Sequence, residues 1–304
     1  MKIYFNRRPT SGPWGGGSKV LFAIIDECLL RNHQVYFEED IHKPVDFDIL
    51  FCIDPRPSQC VNYEQLLNRR LKSPTTKLVQ RIGDLGTHGK PELFAFLKEI
   101  TKFPDALVFP SQWAKDYLNP PNEKCVIIKN APLKQFLVSR KNKTFSKKLE
   151  VVSHHWSNNS LKGFDTYQKL DEYCKNTNKA NFTFIGRKPD DVFLSNYIPP
   201  QDVDGLVSFL PKHDVYITAS KQEAGANHVL EALALGLPVL YHKDGGSINE
   251  YCKDFGIEYN DFGELVDIIE NKTEELQAIA NRMTYQRSSK DMAREYVDLF
   301  EAKS

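Results

Sequence analysis

The fold is decided by residues 215–240, Val215-Tyr-Ile-Thr-Ala-Ser-Lys-Gln-Glu223-Ala-Gly225-Ala-Asn-His-Val-Leu-Glu231-Ala-Leu-Ala-Leu-Gly236-Leu-Pro238-Val-Leu240. The apolar run Val215-Tyr216-Ile217 predicts a buried strand. A small, polar turn follows, then an Ala- and Leu-rich helix that Gly236 stops, with Pro238 just beyond. Val239-Leu240 starts the next strand at once. Strand, turn, helix and strand in this order make half of a βαβ unit in a parallel sheet. A ligand at the carboxyl end of the first strand would meet the turn and the helix N-terminus together. Glu223 lies in that turn and Glu231 in the helix.

The rest of the chain repeats this alternation. Strands are expected at residues 2–6, Gln34–Phe37, Ile49–Ile53, Lys77–Ile82, Ala106–Phe109 and Val126–Lys129, with helical patterns such as Glu92–Ile100 and Ser111–Leu118 between them. After residues 136–148, basic and without apolar periodicity, a second series begins at Leu149–Ser153. It continues with a helix from Phe164 to about Cys174, the strand Phe182–Gly186 and a short helix at Val203–Leu210, and then reaches the opening stretch. Ser288–Ala302 closes the chain as an amphipathic helix. The expected class is therefore α/β. Two Rossmann-like doubly wound domains occupy residues 1–135 and 149–287, joined by a linker at 136–148.

Composition excludes several classes. Forty Lys and Arg balance forty Asp and Glu, so no net field draws the chain to nucleic acid or to an anionic membrane. No apolar run is long enough to span a bilayer, and the N-terminus enters a strand and reaches Arg7-Arg8 without a secretory pattern. Six scattered cysteines, with no C-x-x-C pair, read as buried thiols and favour the cytosol.

Four places carry chemistry. Gly15-Gly16-Gly17 leaves the first strand for a helix with Ser18 as a plausible N-cap. It is either a flexible turn or an anion cradle, and its place at a strand's carboxyl end favours the cradle. Arg81-Ile-Gly-Asp-Leu-Gly-Thr-His88-Gly-Lys90 leaves the fourth strand, and His88 is evenly balanced between a ligand contact and a solvated loop. Lys162, before a helix, suits a diphosphate, although a solvated lysine is the simpler reading. Glu231 lies among Ala232, Leu233, Ala234 and Leu235, so its carboxylate needs a partner or a ligand. Adjacent His154 and His155 face opposite ways in a strand and have no acidic or Cys neighbour in the sequence, which argues against a metal site.

The chain resembles, over nearly its full length, the retaining GT-B-fold glycosyltransferases of family four. The residues that carry the resemblance are Gly15-Gly16-Gly17, Lys162-Gly163, the E-x7-E pattern Glu223–Glu231, the following Ala232-Leu-Ala-Leu-Gly236-Leu-Pro238-Val239, and Gly245-Gly246 with Glu250 downstream. It departs from the family in lacking an arginine some five residues before Lys162-Gly163, so that either His155 or Arg187 substitutes or the phosphate grip is weaker. It also lacks the common aromatic after Gly225.

The resemblance implies two domains facing across a cleft, with residues 288–304 packing back on the first. It implies transfer of a sugar from a UDP- or GDP-linked donor to an acceptor hydroxyl, with retention and with no metal or other cofactor. Glu223, His88 and Lys162 would be catalytic. Gly15, Gly16, Gly17, Arg187, Ala224, Gly225, Ala226, Asn227 and Glu231 would bind the donor, with Lys162 on the diphosphate and Glu231 on the ribose. A sugar epimerase or phosphorylase of the same fold, or a non-catalytic nucleotide-sugar-binding protein, are the alternatives. The acceptor stays open among glycan, lipid-linked and protein substrates. The expected location is cytoplasmic, with peripheral membrane contact left open.

Overall fold

The structure, a computed structural model, describes residues 1–10, 16–56, 61–121, 123–137 and 144–302 of the chain. It divides into two compact units, Met1–Asn130 with Ser289–Ser304, and Ala131–Ser288.

The first series of elements is β1 (Lys2–Phe5), α1 (Gly16–Leu30), β2 (Gln34–Phe37), β3 (Ile49–Cys52), α2 (Tyr63–Lys72), β4 (Lys77–Arg81), α3 (Pro91–Ile100), β5 (Ala106–Phe109), α4 (Gln112–Leu118) and β6 (Cys125–Ile127). The second is β7 (Leu149–His155), α5 (Phe164–Thr177), β8 (Ala180–Gly186), β9 (Tyr197–Ile198), α6 (Val203–Phe209), β10 (Val215–Thr218), α7 (Asn227–Ala234), β11 (Val239–His242), α8 (Ser247–Cys252), β12 (Gly256–Tyr259), α9 (Phe262–Asn271) and α10 (Thr273–Arg282). The closing helix, α11 (Ser289–Glu301), belongs to the first unit.

The first sheet is parallel in the order β2-β1-β3-β4-β5-β6. Its strands are short and apolar. Ile3, Phe5, Leu50, Phe51, Val108 and Phe109 are all fully or almost fully buried, as expected for a sheet covered on both faces. On one face α11 lays Tyr296 and Phe300 edge-on against Phe51, at ring separations of 5.8 and 5.4 Å. Arg31, at the end of α1, ties that helix down through Asp298 and Glu301. Four of the five described cysteines are buried and none is bonded to another; Cys60 lies outside the described residues.

The second sheet is also parallel, in the order β12-β11-β10-β7-β8-β9. Numbered within the unit this is 6-5-4-1-2-3, so the chain reverses its winding direction between β7 and β10. Ligands of open α/β sheets bind outside the carboxyl ends of the strands at that reversal. Side chains alternate between faces. Val152, Tyr216 and Val239 pack under α6, α7 and α8, whereas Val151, Val215, Ile217 and Leu240 pack under α5 and α9.

Several expectations change. Ser18 is not an N-cap: α1 already begins at Gly16, and the Ser18 hydroxyl instead accepts from Arg7 at 3.1 Å. Phe136, placed by sequence at the start of a linker, is fully buried in the second unit's core. β7 runs two residues past its expected end, through His154 and His155, because both side chains are buried.

Candidate active site

The second unit brings several of its candidate residues together where β7 and β10 end side by side. After β7 the chain turns through Ser160–Lys162, and Gly163 follows with φ +78°. A Cβ on Gly163 would lie 2.4 Å from the Ala219 Cβ and 2.5 Å from its carbonyl oxygen. Glycine is therefore required twice over, for a left-handed backbone and for the close approach of this turn to the end of β10. Lys221 N–H also donates to the Leu161 carbonyl at 2.9 Å. Lys162 is thus held against the turn that carries Glu223, 61 residues away.

That turn has its own lock. Glu223 N–H donates to the Gly245 carbonyl at 3.1 Å, and Ser247 N–H returns a bond to the Glu223 carbonyl at 2.8 Å. The Ser247 hydroxyl accepts from Ala226 N–H at 3.1 Å. Gly246, with φ +72° and ψ −120°, supplies the bend. The Gly245-Gly246 pair noted in the sequence therefore serves as a splint for the Glu223 turn. α7 then begins at Asn227, with Ala226 at its N-cap position and no side-chain cap hydrogen bond. The positive end of the helix is left without a side-chain oxygen of its own.

Lys162 Nζ and Glu223 Oε1 form a hydrogen-bonded ion pair, with side chains only 12% and 14% exposed. Ala224 and Ala226 are buried, and Gly225 and Asn227 are half-buried between Glu223 and the helix.

Beneath this pair lies a layer of histidines. His154 Nε2 is 3.0 Å from Glu231 Oε2, and both residues are almost wholly buried. An ionised carboxylate only accepts, so Nε2 carries the proton. The opposite ring nitrogen, Nδ1, has no hydrogen-bond partner. The backbone of His154 is clamped by Tyr216, whose hydroxyl accepts from its N–H and donates to its carbonyl, each at 3.1 Å. The partner that Glu231 needs is thus internal. This corrects the expectation that His154 has no acidic neighbour: folding brings together residues 77 apart in sequence. His155 faces the other way, with Nε2 2.6 Å from the Tyr167 hydroxyl, which also accepts from Ala219 N–H at 3.0 Å. Burial pushes the Tyr167 phenol up to about 12, so it keeps its proton.

His228, in the first turn of α7, lies edge-on to His155 at 4.7 Å, and its Nε2 is 3.0 Å from the Thr218 hydroxyl. Burial, opposed by Glu223 and aided by Lys162, pushes the imidazole down to about 3. It is neutral at any physiological pH. Among the described residues no group of three His, Cys, Asp or Glu side chains is arranged to hold a metal ion.

The remaining predicted positions are separate. Arg187 follows β8, with its N–H on the His155 carbonyl at 2.9 Å and its side chain exposed. In the first unit Gly16 and Gly17 open α1, and Gly15 lies outside the described residues. Among the described residues a Cβ on Gly17 would meet Arg7 Nη2, at 3.9 Å. His88 sits half-buried in the loop between β4 and α3. Sequence reasoning weighed His154 as a metal ligand without foreseeing its contact with Glu231, and missed Thr218, His228 and Ser247. Only His228, inside the E-x7-E interval, carried a local signal.

No protein-family profile matches the chain, and no curated protein matches it in sequence. Solved structures do match. The chain is similar throughout to WaaG, a glycosyltransferase involved in lipopolysaccharide biosynthesis, with TM-score 0.68, 14% identity and 100% of each chain covered. It is similar to sucrose-phosphate synthase from Thermosynechococcus elongatus, with TM-score 0.67, 11% identity and 99% and 98% covered. It is also similar to the pneumococcal O-GlcNAc transferase GtfA in complex with UDP and GlcNAc, with TM-score 0.60 and 13% identity, over 83% of this chain and 56% of that one. The two parallel six-stranded sheets with flanking helices are those of the two-domain, Rossmann-like GT-B fold.

Proposed function

We propose that the protein is a retaining glycosyltransferase that moves a hexose from a nucleotide-sugar donor, UDP- or GDP-linked, to an acceptor hydroxyl. One observation carries the reading. A largely buried Lys162–Glu223 pair sits at the winding reversal of the second sheet, directly before the N-terminus of α7, which has no side-chain cap. The matching structures support it, since GtfA was solved with UDP and GlcNAc.

In this reading Lys162 and the first N–H groups of α7 hold the diphosphate. The bond from the sugar's anomeric carbon to the diphosphate oxygen breaks, and the charge that develops on that oxygen meets a fixed cation and a fixed helix dipole. The acceptor oxygen bonds to the anomeric carbon from the leaving group's face, and its proton passes to a diphosphate oxygen. Glu223 faces the sugar and stabilises positive charge on its ring. Glu231 takes the ribose diol beside its contact with His154. Arg187 borders the donor. No metal takes part, because Lys162 and the helix supply the positive charge.

Calorimetric titration with UDP, GDP and ADP tests the proposal, with Lys162→Ala and Glu231→Ala as comparisons. One nucleotide should bind the parent and bind both variants at least tenfold more weakly. Absence of binding by any nucleotide refutes it.

A further inference from the structure

The first unit buries a cation that the donor chemistry does not use. Arg81 is the last residue of β4 and is 5% exposed. Its Nη2 donates to Asn130 Oδ1 at 3.0 Å, and its Nε has no hydrogen-bond partner. Among the described residues no carboxylate pairs with it. Other arginines of this unit are neutralised: Arg7 and Arg56 by Asp54, Arg70 by Asp105, Arg31 by Glu27. The nearby Asp84 is committed elsewhere. Burial raises its carboxyl, but the Lys90 ammonium at 2.5 Å and the Gly86 N–H outweigh that and hold it below its ordinary value.

Asn130 does not neutralise Arg81, because an amide oxygen carries no charge. An unpaired buried charge is costly, and a leucine or methionine would fill the same position without that cost. Of its five N–H donors one is given to Asn130, and no other is seen to meet a partner among the described residues. The guanidinium also lies across Gly83, where a Cβ would fall 1.8 Å from Nη1. It therefore rests at the root of the loop that carries His88.

We propose that Arg81, laid over Gly83 and steadied by Asn130, binds an anionic group, a phosphate or carboxylate, and that this group belongs to the acceptor. The planar fork of donors matches either group in two-point fashion. The link to an acceptor rests on the transferase reading; the anion site does not.

The test uses the full chain, titrated separately with inorganic phosphate and with UDP, as parent, Arg81→Met, Arg81→Lys and Lys162→Met. The parent should bind phosphate and be stabilised by it against heat. Arg81→Met should lose at least tenfold in phosphate affinity and keep its UDP affinity, with Arg81→Lys intermediate. Lys162→Met should do the reverse. The Arg81 Nε–H resonance of the parent should move on phosphate addition, a readout that needs no variant to fold. Absence of phosphate binding by the parent, an unchanged affinity in Arg81→Met, or loss of phosphate binding in Lys162→Met overturns the proposal. A failure of UDP binding alone strikes the transferase reading and leaves the anion site standing.

Discussion

Lys162 and Glu223 are paired with each other before any donor arrives, and that sets opposite signs for two substitutions. A diphosphate must draw Lys162 Nζ away from Glu223 Oε1 or share it, because both side chains are nearly nine-tenths buried and water does little to screen them. Lys162→Met removes the charge-assisted bonds to the diphosphate. Hydrogen bonds to charged groups contribute about 1.5–3 kcal/mol each, so UDP binding should weaken about 10- to 150-fold. Glu223→Gln leaves Lys162 in place and removes both its competitor and a negative charge that repels the ligand. Recovering about 1 kcal/mol of that competition tightens UDP about fivefold. The turn should survive, since its bonds to Gly245 and Ser247 are made by the Glu223 backbone. Transfer by Glu223→Gln should nonetheless fall by two orders of magnitude or more, as for loss of one charge-stabilising group in a closed site. Isothermal titration with UDP, beside initial rates with the matching nucleotide sugar, separates the two effects. If Glu223→Gln weakens UDP as much as Lys162→Met does, Glu223 is a phosphate-site residue and the division of roles is wrong.

The other expectations concern the frame beneath that pair. His154→Leu and Glu231→Leu should each destabilise by about 3–5 kcal/mol, because each strands a buried polar partner. The double substitution should cost at least about 2 kcal/mol less than the sum in urea unfolding, and additivity would show that the 3.0 Å contact is not a coupled pair. Gly163→Ala should cost about 2–4 kcal/mol from backbone strain and the clash with Ala219, and should weaken UDP by moving Lys162. Adding Ala219→Gly should restore little, since the carbonyl oxygen at 2.5 Å stays. His228, held near 3 in the fold, takes up its proton first in the unfolded chain, whose imidazoles titrate near 6.5. Its contribution is complete above pH 6.5 and declines as pH falls toward 3. Over the 1.5 units from pH 6.5 to 5, at about 1.36 kcal/mol per unit, the loss is at most about 2 kcal/mol. His228→Asn should flatten the acid limb of stability against pH, and an unchanged limb would remove His228 as its source.

The opening stretch carried the fold because its signals agree at every level: apolar strand, small turn, Ala-Leu helix, Gly236 and Pro238. Strand positions were legible wherever four or more apolar residues run together, as at Ile49–Cys52 and Ala106–Phe109. β9, two residues long, and β12, with an exposed glutamate at its centre, gave no such run. Of the site, sequence supplied Lys162, next to the left-handed Gly163, and Glu223 with the start of α7 on either side of Gly225. It did not supply the contacts among them. That Gly163 abuts Ala219, and that His154 pairs with Glu231, depends on β7 and β10 being neighbours. Strand order is set by crossover handedness and helix packing across the whole unit, and no local window contains it.

The arginine missing before Lys162 can now be placed in physical terms. A guanidinium at the end of β7 would bring a permanent charge to the donor side. Here the strand ends in two imidazoles, and both are turned inward: His154 to Glu231 and His155 to Tyr167. Neither Nε2 is left for a phosphate. The positive charge around this turn therefore comes from Lys162, from Lys221 in the turn itself and from the N-terminus of α7, with Arg187 exposed beyond β8. With one buried cation in place of two, neutralising it should cost proportionally more of the total affinity. The inward histidines offset this by rigidity, since they fix the floor on which the Glu223 turn and α7 rest. A site built this way gains affinity from preorganisation more than from charge. UDP binding should accordingly depend only weakly on salt, and a steep salt dependence in the parent would show that further surface cations, Arg187 first among them, join the phosphate grip.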